Sequence, residues 1–140
     1  MLGSVVPFAK HVGVELTEVQ PGAATAVLPE APHLLNHIGT QHAAALYAVA
    51  EAASGAAVAG LIADVLMSVT PVAKAARISY LKPARGPITA SARINGDAAA
   101  MRSRLDDAGK TEFAVQVDLS DAAGLNVATV EVDWYVRKNA

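Results

Sequence analysis

The residue whose surroundings most strongly suggest chemistry is Glu51, the one charged residue between His42 and Asp64. It lies in the middle of the apolar run HAAALYAVAEAASGAAVAGLIAD, where burying a carboxylate is costly unless the group is paired or used. Sites that need a carboxylate near its ionisation point use this arrangement. Glu51 is therefore our candidate base or nucleophile, and an acid satisfied by Ser, Tyr or backbone partners is the alternative.

The segment before this run is polar and leads into the predicted helix. Free N–H groups and the positive end of the helix dipole lie at the helix start, around residues 41–44. They could stabilise a developing oxyanion, although every helix has such an end. Asn36 could bind a substrate carbonyl or a water, or could shape the loop as an Asx-turn. His42 lies half a helical turn round from Glu51, so we expect it to cap the helix or brace the loop.

Three residues share the helix face of Glu51, because they lie three or four positions from it: Tyr47, Ser54 and Gly55. Ser54 could orient the carboxylate or a water, or it could bond back to a helix carbonyl. Gly55 could leave room for a substrate group or allow close packing of subunits.

Composition excludes several classes of function. Cysteine is absent, which rules out disulfides and thiolate chemistry. Eleven basic and 13 acidic residues give a net charge of −2, and without a basic tract we expect no nucleic-acid binding. No acidic ligand lies among His33, His37 and His42, so we expect no metal.

The chain is expected to form one soluble domain over residues 1–140 in the cytoplasm. Its first residues lack a cationic start and a long apolar run, which predicts no signal peptide. Residues 43–63 are about as long as a membrane span, but Glu51 at the centre favours a buried helix instead.

Turn signals and hydrophobic periodicity divide the chain into elements. Alternation of period two marks the strands of the second half, and the run from 66 is expected to be interrupted near Pro71, where a bulge or an edge position is needed. Residues 98–107 could be a short helix or a ragged strand. The predicted elements are a helical lead-in over 3–10, a hairpin of strands 12–19 and 23–28, a loop over 30–41, the helix over 42–62, and strands over 66–82, 88–95, 112–119 and 128–137.

These elements predict an α+β fold in which a curved antiparallel sheet wraps around one long central helix. A helix that is apolar on every side must be covered on every side. The sheet satisfies part of that demand, and we expect a partner subunit to cover the rest.

The chain resembles the hotdog-fold thioesterases, in particular their PaaI-like and DUF4442-like groups. In PaaI-like enzymes Asn-x-x-Gly-x-x-His-Gly-Gly leads into the helix, and an acid follows nine positions after the His. Asn36, Gly39 and His42 match this motif, and Glu51 is nine residues after His42. Residues 80–86, YLKPARG, resemble the family's turn near the coenzyme A tail.

The resemblance implies an acyl-CoA thioesterase with a small or medium acyl substrate and no metal or redox cofactor. It implies that the N–H of Ala43 polarises the thioester carbonyl. The family's two glycines are Ala43 and Ala44 here, which adds bulk beside the substrate. Predicted catalytic groups are Glu51, Asn36, Ala43 and Ser54. Predicted substrate contacts are His42, Ala44, Tyr47, Gly55, Lys82 and Arg85, the last two for the phosphates of coenzyme A.

Helix geometry implies that two chains share each active site. At 1.5 Å per residue, Ala43 and Glu51 of one chain lie on the order of 12 Å apart, so they cannot both act on one carbonyl. We therefore expect a homodimer with two composite sites, or a dimer of dimers. The rivals are an acyl-CoA binding module without catalysis, a hotdog dehydratase or hydratase, and an interaction domain whose helix serves only dimer packing.

Overall fold

The structure, a computed structural model, describes residues 6–140. Its strands are β1 Glu15–Gln20, β2 Ala23–Leu28, β3 Val69–Tyr80, β4 Ile88–Ile94, β5 Lys110–Ser120 and β6 Asn126–Lys138. Its helices are α1 Pro7–Val12, α2 Ala43–Leu61 and α3 Ala98–Ala108. The strands form one antiparallel sheet in the order β1-β2-β4-β5-β6-β3, and one face of that sheet packs on α2.

The core lies between α2 and the inward face of the sheet. Every second residue of β4, β5 and β6 is buried, as the alternation predicts, and the intervening residues are more exposed. The helix contributes mostly alanine, and Ala50, Ala53 and Ala57 are fully buried. Small side chains let the helix axis approach the sheet closely, which explains how a chain with 4% aromatic residues fills its core.

The predicted elements are confirmed in the main, with shifts at their ends. The helix over 42–62 is α2, the 12–19 and 23–28 hairpin is β1 and β2, and residues 98–107 are helical rather than extended. Asp97 caps that helix by accepting bonds from two backbone N–H groups. Residues 7–10 of the predicted lead-in belong to α1, and residues 3–5 lie outside the described part. The loop over 30–41 contains a short 3₁₀ turn, Pro32–Leu34.

The prediction for residues 66–82 is wrong about the start of the strand and about an interruption at Pro71, whereas the edge position expected for this proline is confirmed. Residues 66–68 belong to a 3₁₀ segment, Ala63–Ser68, and the strand runs through Pro71 without a break. β3 is an edge strand, so the N–H that proline lacks is not needed for a second neighbour. The irregularity falls instead between Ala73 and Ala75.

The edge strand β3 is exposed over most of its length, unlike β4, β5 and β6. Residues paired across two strands point to the same face, so the partners of buried β6 residues face α2. These are Pro71, Ala73, Ala76, Ile78 and Tyr80, and none of them is buried in this chain. A strip of the helix-facing side of the sheet is therefore left open along its unpaired edge.

One helix, α2, is long and apolar enough to span a membrane, and 61% of the relevant window is buried inside the protein. This burial is the property of a core helix, as Glu51 at its centre predicts.

Gly60 lies where α2 approaches the sheet closely. A Cβ built there would lie 2.3 Å from the carbonyl oxygen of Gln20 in the β1–β2 turn. We expect Gly60→Ala to lower the free energy of unfolding by about 1–3 kcal/mol, because the backbone must shift. Gly55→Ala is the matched control in the same helix, since its Cβ would meet the Trp134 ring at 3.6 Å, an ordinary contact. Urea denaturation of both variants checks this, and equal stabilities would contradict it.

Candidate active site

The start of α2 presents one backbone N–H without a partner. The N–H of His42 donates to the carbonyl of Leu34, and that of Ala45 donates to the carbonyl of His42. The N–H of Ala44 donates to Nδ1 of His42, at 2.9 Å. Within residues 6–140 the N–H of Ala43 has no hydrogen-bond partner, and Ala43 is exposed. The helix start can therefore offer this N–H to a carbonyl oxygen outside the chain.

His42 is the N-cap of α2, which is the capping role expected from its position. Its Nδ1 must be unprotonated to accept the bond from Ala44. The substrate contacts predicted for His42 and Ala44 remain predictions, since both are exposed beside the free N–H.

Asn36 shapes the loop before the helix. Its Oδ1 accepts from the N–H groups of Ile38 and Thr40, each at 3.0 Å, and its Nδ2 donates to Oγ1 of Thr40 at 2.7 Å. This is the Asx-turn alternative. One N–H of the amide is not used in these bonds, so a role toward substrate or water remains a prediction.

Glu51 lies on the side of α2 that the sheet leaves open. Tyr47, Glu51 and Gly55 follow one another at intervals of four, form a single stripe on the helix and are half-buried. The stripe continues from Ala43, whose carbonyl contacts Tyr80, to Gly55, which lies over the ring of Trp134. Glu51 therefore stands between these two sheet contacts, beside the open strip of β3.

Burial governs the protonation of this stripe. Loss of solvation raises the pKa of Glu51 above its ordinary range. Burial, and then the nearby charge of Glu51, raise the pKa of Tyr47. A carboxylate with a raised pKa is a stronger base than one in water, which suits proton abstraction from a water molecule.

The raised pKa of Glu51 makes the ionised carboxylate a source of instability. The cost of burying the ionised carboxylate lowers the free energy of unfolding above the folded-state pKa. This cost vanishes below the unfolded-state pKa of about 4.3, where the acid is neutral in both states. We expect Glu51→Gln to melt a few degrees above wild type at pH 8 and to lose that advantage as the pH falls toward 4. Thermal melts across this range check the sign. A variant less stable than wild type at pH 8 would show that the carboxylate is well satisfied.

The prediction that Ser54 orients the Glu51 carboxylate or a water is corrected by the structure. Ser54 is 0% exposed, and its hydroxyl donates to the backbone carbonyl of Glu51 at 2.8 Å. The same oxygen accepts from the indole N–H of Trp134, at 3.3 Å. A side chain without exposure cannot touch substrate, so Ser54 holds the backbone at Glu51 and ties α2 to β6.

Lys82 and Arg85 lie on the loop that follows β3, and both are exposed. Gln41 fastens this loop beside the helix start: its backbone N–H donates to the carbonyl of Ala84, and its Nε2 donates to the carbonyl of Gly86. Neither cation forms an ion pair or a side-chain hydrogen bond within the described residues. The loop that carries both charges therefore lies beside the helix start.

Metal binding has no apparent site in the part of the chain that the structure describes, where no group of three or more His, Asp or Glu residues converges. His42 is occupied in capping, and His33 packs edge-on against His11 with 6.4 Å between ring centroids.

The structure thus brings together the free N–H, Asn36, Lys82 and Arg85 at one end of α2, and places Glu51 further along the helix. Sequence reasoning missed Tyr80 as a contact of this site, and it placed Gln41 at the helix start without a role for its side chain. Tyr80 stands in the YLKPARG segment, which was interpreted through its two cations alone, and its hydroxyl donates to the Ala43 carbonyl at 3.0 Å.

An antiparallel sheet of six strands around one long helix is the hotdog fold. The sequence matches the family model described as "Domain of unknown function (DUF4442)" over residues 1–136, so the chain belongs to the DUF4442 family. Curated protein sequences gave no match.

Three solved structures illustrate the similarity. PA5026 of Pseudomonas aeruginosa, described as a probable thioesterase, has a TM-score of 0.84 and 26% identity over 97% of this chain and 90% of its own. The PaaI protein of the E. coli phenylacetic acid degradation operon has a TM-score of 0.75 and 18% identity, covering 97% of this chain and 86% of its own. A mutant of the Staphylococcus aureus thioesterase SAV0944 has a TM-score of 0.79 and 15% identity, covering 94% of this chain and 99% of its own. The last two show a shared fold alone.

Proposed function

We propose that this protein is an acyl-CoA thioesterase that hydrolyses the thioester of a small or medium acyl chain. The observation that carries the proposal is the unpartnered N–H of Ala43 at the capped start of α2. A backbone N–H aimed out of a helix start stabilises the oxyanion that forms when a thioester carbonyl is attacked. The similarity to PA5026, a probable thioesterase, supports the same reaction class.

Glu51 supplies the second chemical group that hydrolysis requires. It acts as the base that takes a proton from water, or as the nucleophile that attacks the acyl carbon itself. In either case the C–S bond breaks, coenzyme A leaves as the thiol, and one water is consumed to give the free acid. The one N–H of Asn36 not used in the loop holds the substrate carbonyl or the water.

The reaction requires two chains. Ala43 and Glu51 of one helix are on the order of 12 Å apart, so the Glu51 that serves each Ala43 comes from a partner subunit. The open side of α2 and the exposed edge strand β3 lie next to each other and offer the surface for that contact. The assembly is a homodimer or a dimer of dimers.

Lys82 and Arg85 hold the phosphates of coenzyme A at the mouth of the site, and Tyr47 and Gly55 line the path of the acyl group beside Glu51. No metal, redox cofactor, nucleic acid or membrane takes part, and we place the protein in the cytoplasm.

One alternative has a specific observation in its favour. Ala43 and Ala44 carry Cβ atoms at the positions of the two glycines in the PaaI-like motif, and both are exposed beside the free N–H. A protein that binds acyl-CoA without hydrolysing it would tolerate this bulk. A dehydratase is not favoured, because Nδ1 of His42 is occupied in capping the helix.

Free-thiol release from a panel of acyl-CoAs of increasing chain length tests the proposal, with coenzyme A affinity measured by calorimetry on the same preparation. Turnover of short and medium chains, with coenzyme A as a competitive inhibitor, is the expected result. Tight binding without turnover would select the binding module, and neither binding nor turnover would remove coenzyme A from consideration.

A further inference from the structure

The peptide group between Ala43 and Ala44 is held at both ends by side chains from different elements. Its carbonyl oxygen accepts a hydrogen bond from the hydroxyl of Tyr80, at 3.0 Å. Its N–H donates to Nδ1 of His42, at 2.9 Å. Tyr80 is the last residue of β3, so this contact ties the end of the edge strand to the first turn of α2.

The preceding peptide group, which contains the free N–H of Ala43, is also restrained. Its carbonyl belongs to His42 and accepts from the N–H groups of Ala45 and Leu46, at 2.9 and 3.1 Å. With one peptide group held through its oxygen and the next held at both ends, the direction of the Ala43 N–H is fixed. A donor that is already oriented loses no energy to reorganisation when charge develops on a substrate oxygen.

We propose that Tyr80 is a positioning residue for thioester hydrolysis, whose hydroxyl fixes the first peptide group of α2 and thereby aims the Ala43 N–H. This inference rests on the proposed function. Tyr80 acts through the backbone and does not contact the reacting atoms.

Two features of Tyr80 favour this role over a purely structural one. Its side chain lies on the helix-facing side of β3, since Tyr80 pairs with the buried Ala128. Within a single chain it nevertheless remains 50% exposed, so it adds little to the core of that chain. A half-exposed phenol could satisfy its hydroxyl with water, whereas here the hydroxyl reaches a backbone carbonyl at the start of the helix.

Tyr80→Phe removes the hydroxyl and keeps the ring, and Tyr135→Phe is the matched control, because Tyr135 lies on the outer face of the sheet. We expect Tyr80→Phe to lower kcat about tenfold with KM within about twofold, since the lost contribution belongs to the transition state. Tyr80→Leu should show the same loss, because the hydroxyl is the group that matters. Unchanged kcat, or a rise in KM alone, would overturn the proposal.

Amide hydrogen exchange measured by NMR gives a second readout that does not depend on turnover. Without the Tyr80 hydroxyl the first turn loosens, so the Ala44 amide of Tyr80→Phe should exchange several-fold faster than in wild type and in Tyr135→Phe. Unchanged exchange combined with a lower kcat would mean that Tyr80 acts on the substrate directly, which overturns the positioning role. If wild type hydrolyses no thioester, the proposed function fails on that result, and the exchange data still decide whether Tyr80 holds the peptide group.

Discussion

Glu51→Gln is expected to abolish measurable acyl-CoA hydrolysis while leaving the protein folded. The amide has nearly the volume of the carboxylate but can neither accept a proton from water nor attack the acyl carbon. Loss of a base contributes about 10²–10⁴-fold, and loss of a nucleophile leaves only background hydrolysis. Because burial raises the pKa of Glu51, the substitution should not destabilise the protein at neutral pH. Thiol release and thermal melts on the same samples measure both effects.

Glu112→Gln is a suitable control, because it removes an exposed carboxylate that pairs with Lys74 on the other face of the sheet. Its turnover should equal that of wild type. Full activity in Glu51→Gln would show that the carboxylate has only a structural role in the helix and that the reacting base lies elsewhere.

Ala43→Pro is expected to lower kcat by about 10²–10³-fold, the effect of removing one oxyanion donor. Proline deletes the single free N–H at the helix start and is tolerated at this first helical position. The preceding residue, His42, already has the extended backbone that proline requires, with φ −66° and ψ 142°. The helix should therefore persist, and circular dichroism together with steady-state kinetics measures the two outcomes.

Ala43→Gly is the matched control, because it keeps the N–H and removes the Cβ that distinguishes this chain from the Gly-Gly pattern of PaaI-like enzymes. Activity equal to or above that of wild type is expected. If Ala43→Pro hydrolysed acyl-CoA as fast as Ala43→Gly, the carbonyl would have to be polarised by another donor.

Mixing the two inactive variants tests whether the site is shared between subunits. In a heterodimer of Glu51→Gln and Ala43→Pro, one of the two composite sites has both an intact N–H and an intact carboxylate. Half of the dimers are mixed at equal concentrations, so refolding the variants together should restore about a quarter of wild-type activity. No recovery, despite mixed dimers seen by native mass spectrometry, would place both groups in one chain.

Much of the fold could be predicted from periodicity. Alternation in β4, β5 and β6 identified their buried faces, and the apolar run around Glu51 predicted α2 to within one residue at each end. These patterns succeed because they show which face of its own helix or strand each residue occupies, and that face decides whether the residue is buried. For Pro71 the sequence left a bulge and an edge position open, because only the neighbours of its strand in the sheet decide between them.

The side-chain partners in the site were less predictable. Asn36 and Ser54 each had two interpretations, and the structure contains the local hydrogen bonds in both cases. Local bonds compete with roles toward substrate because the backbone partner is always within reach. The contact between Tyr80 and Ala43 joins residues 37 positions apart, and no spacing rule connects a strand end to a helix start at that separation.

The sequence by itself determined the long apolar helix, the single acid within it, the strands and the motif that leads into the helix, because each depends on the types of nearby residues. The tertiary structure decided which N–H at the helix start is free, that the loop of Lys82 and Arg85 lies beside it, and that β3 is left as an exposed edge. Those features follow from which elements pack together, and the free energy of that packing is summed over residues far apart in the chain.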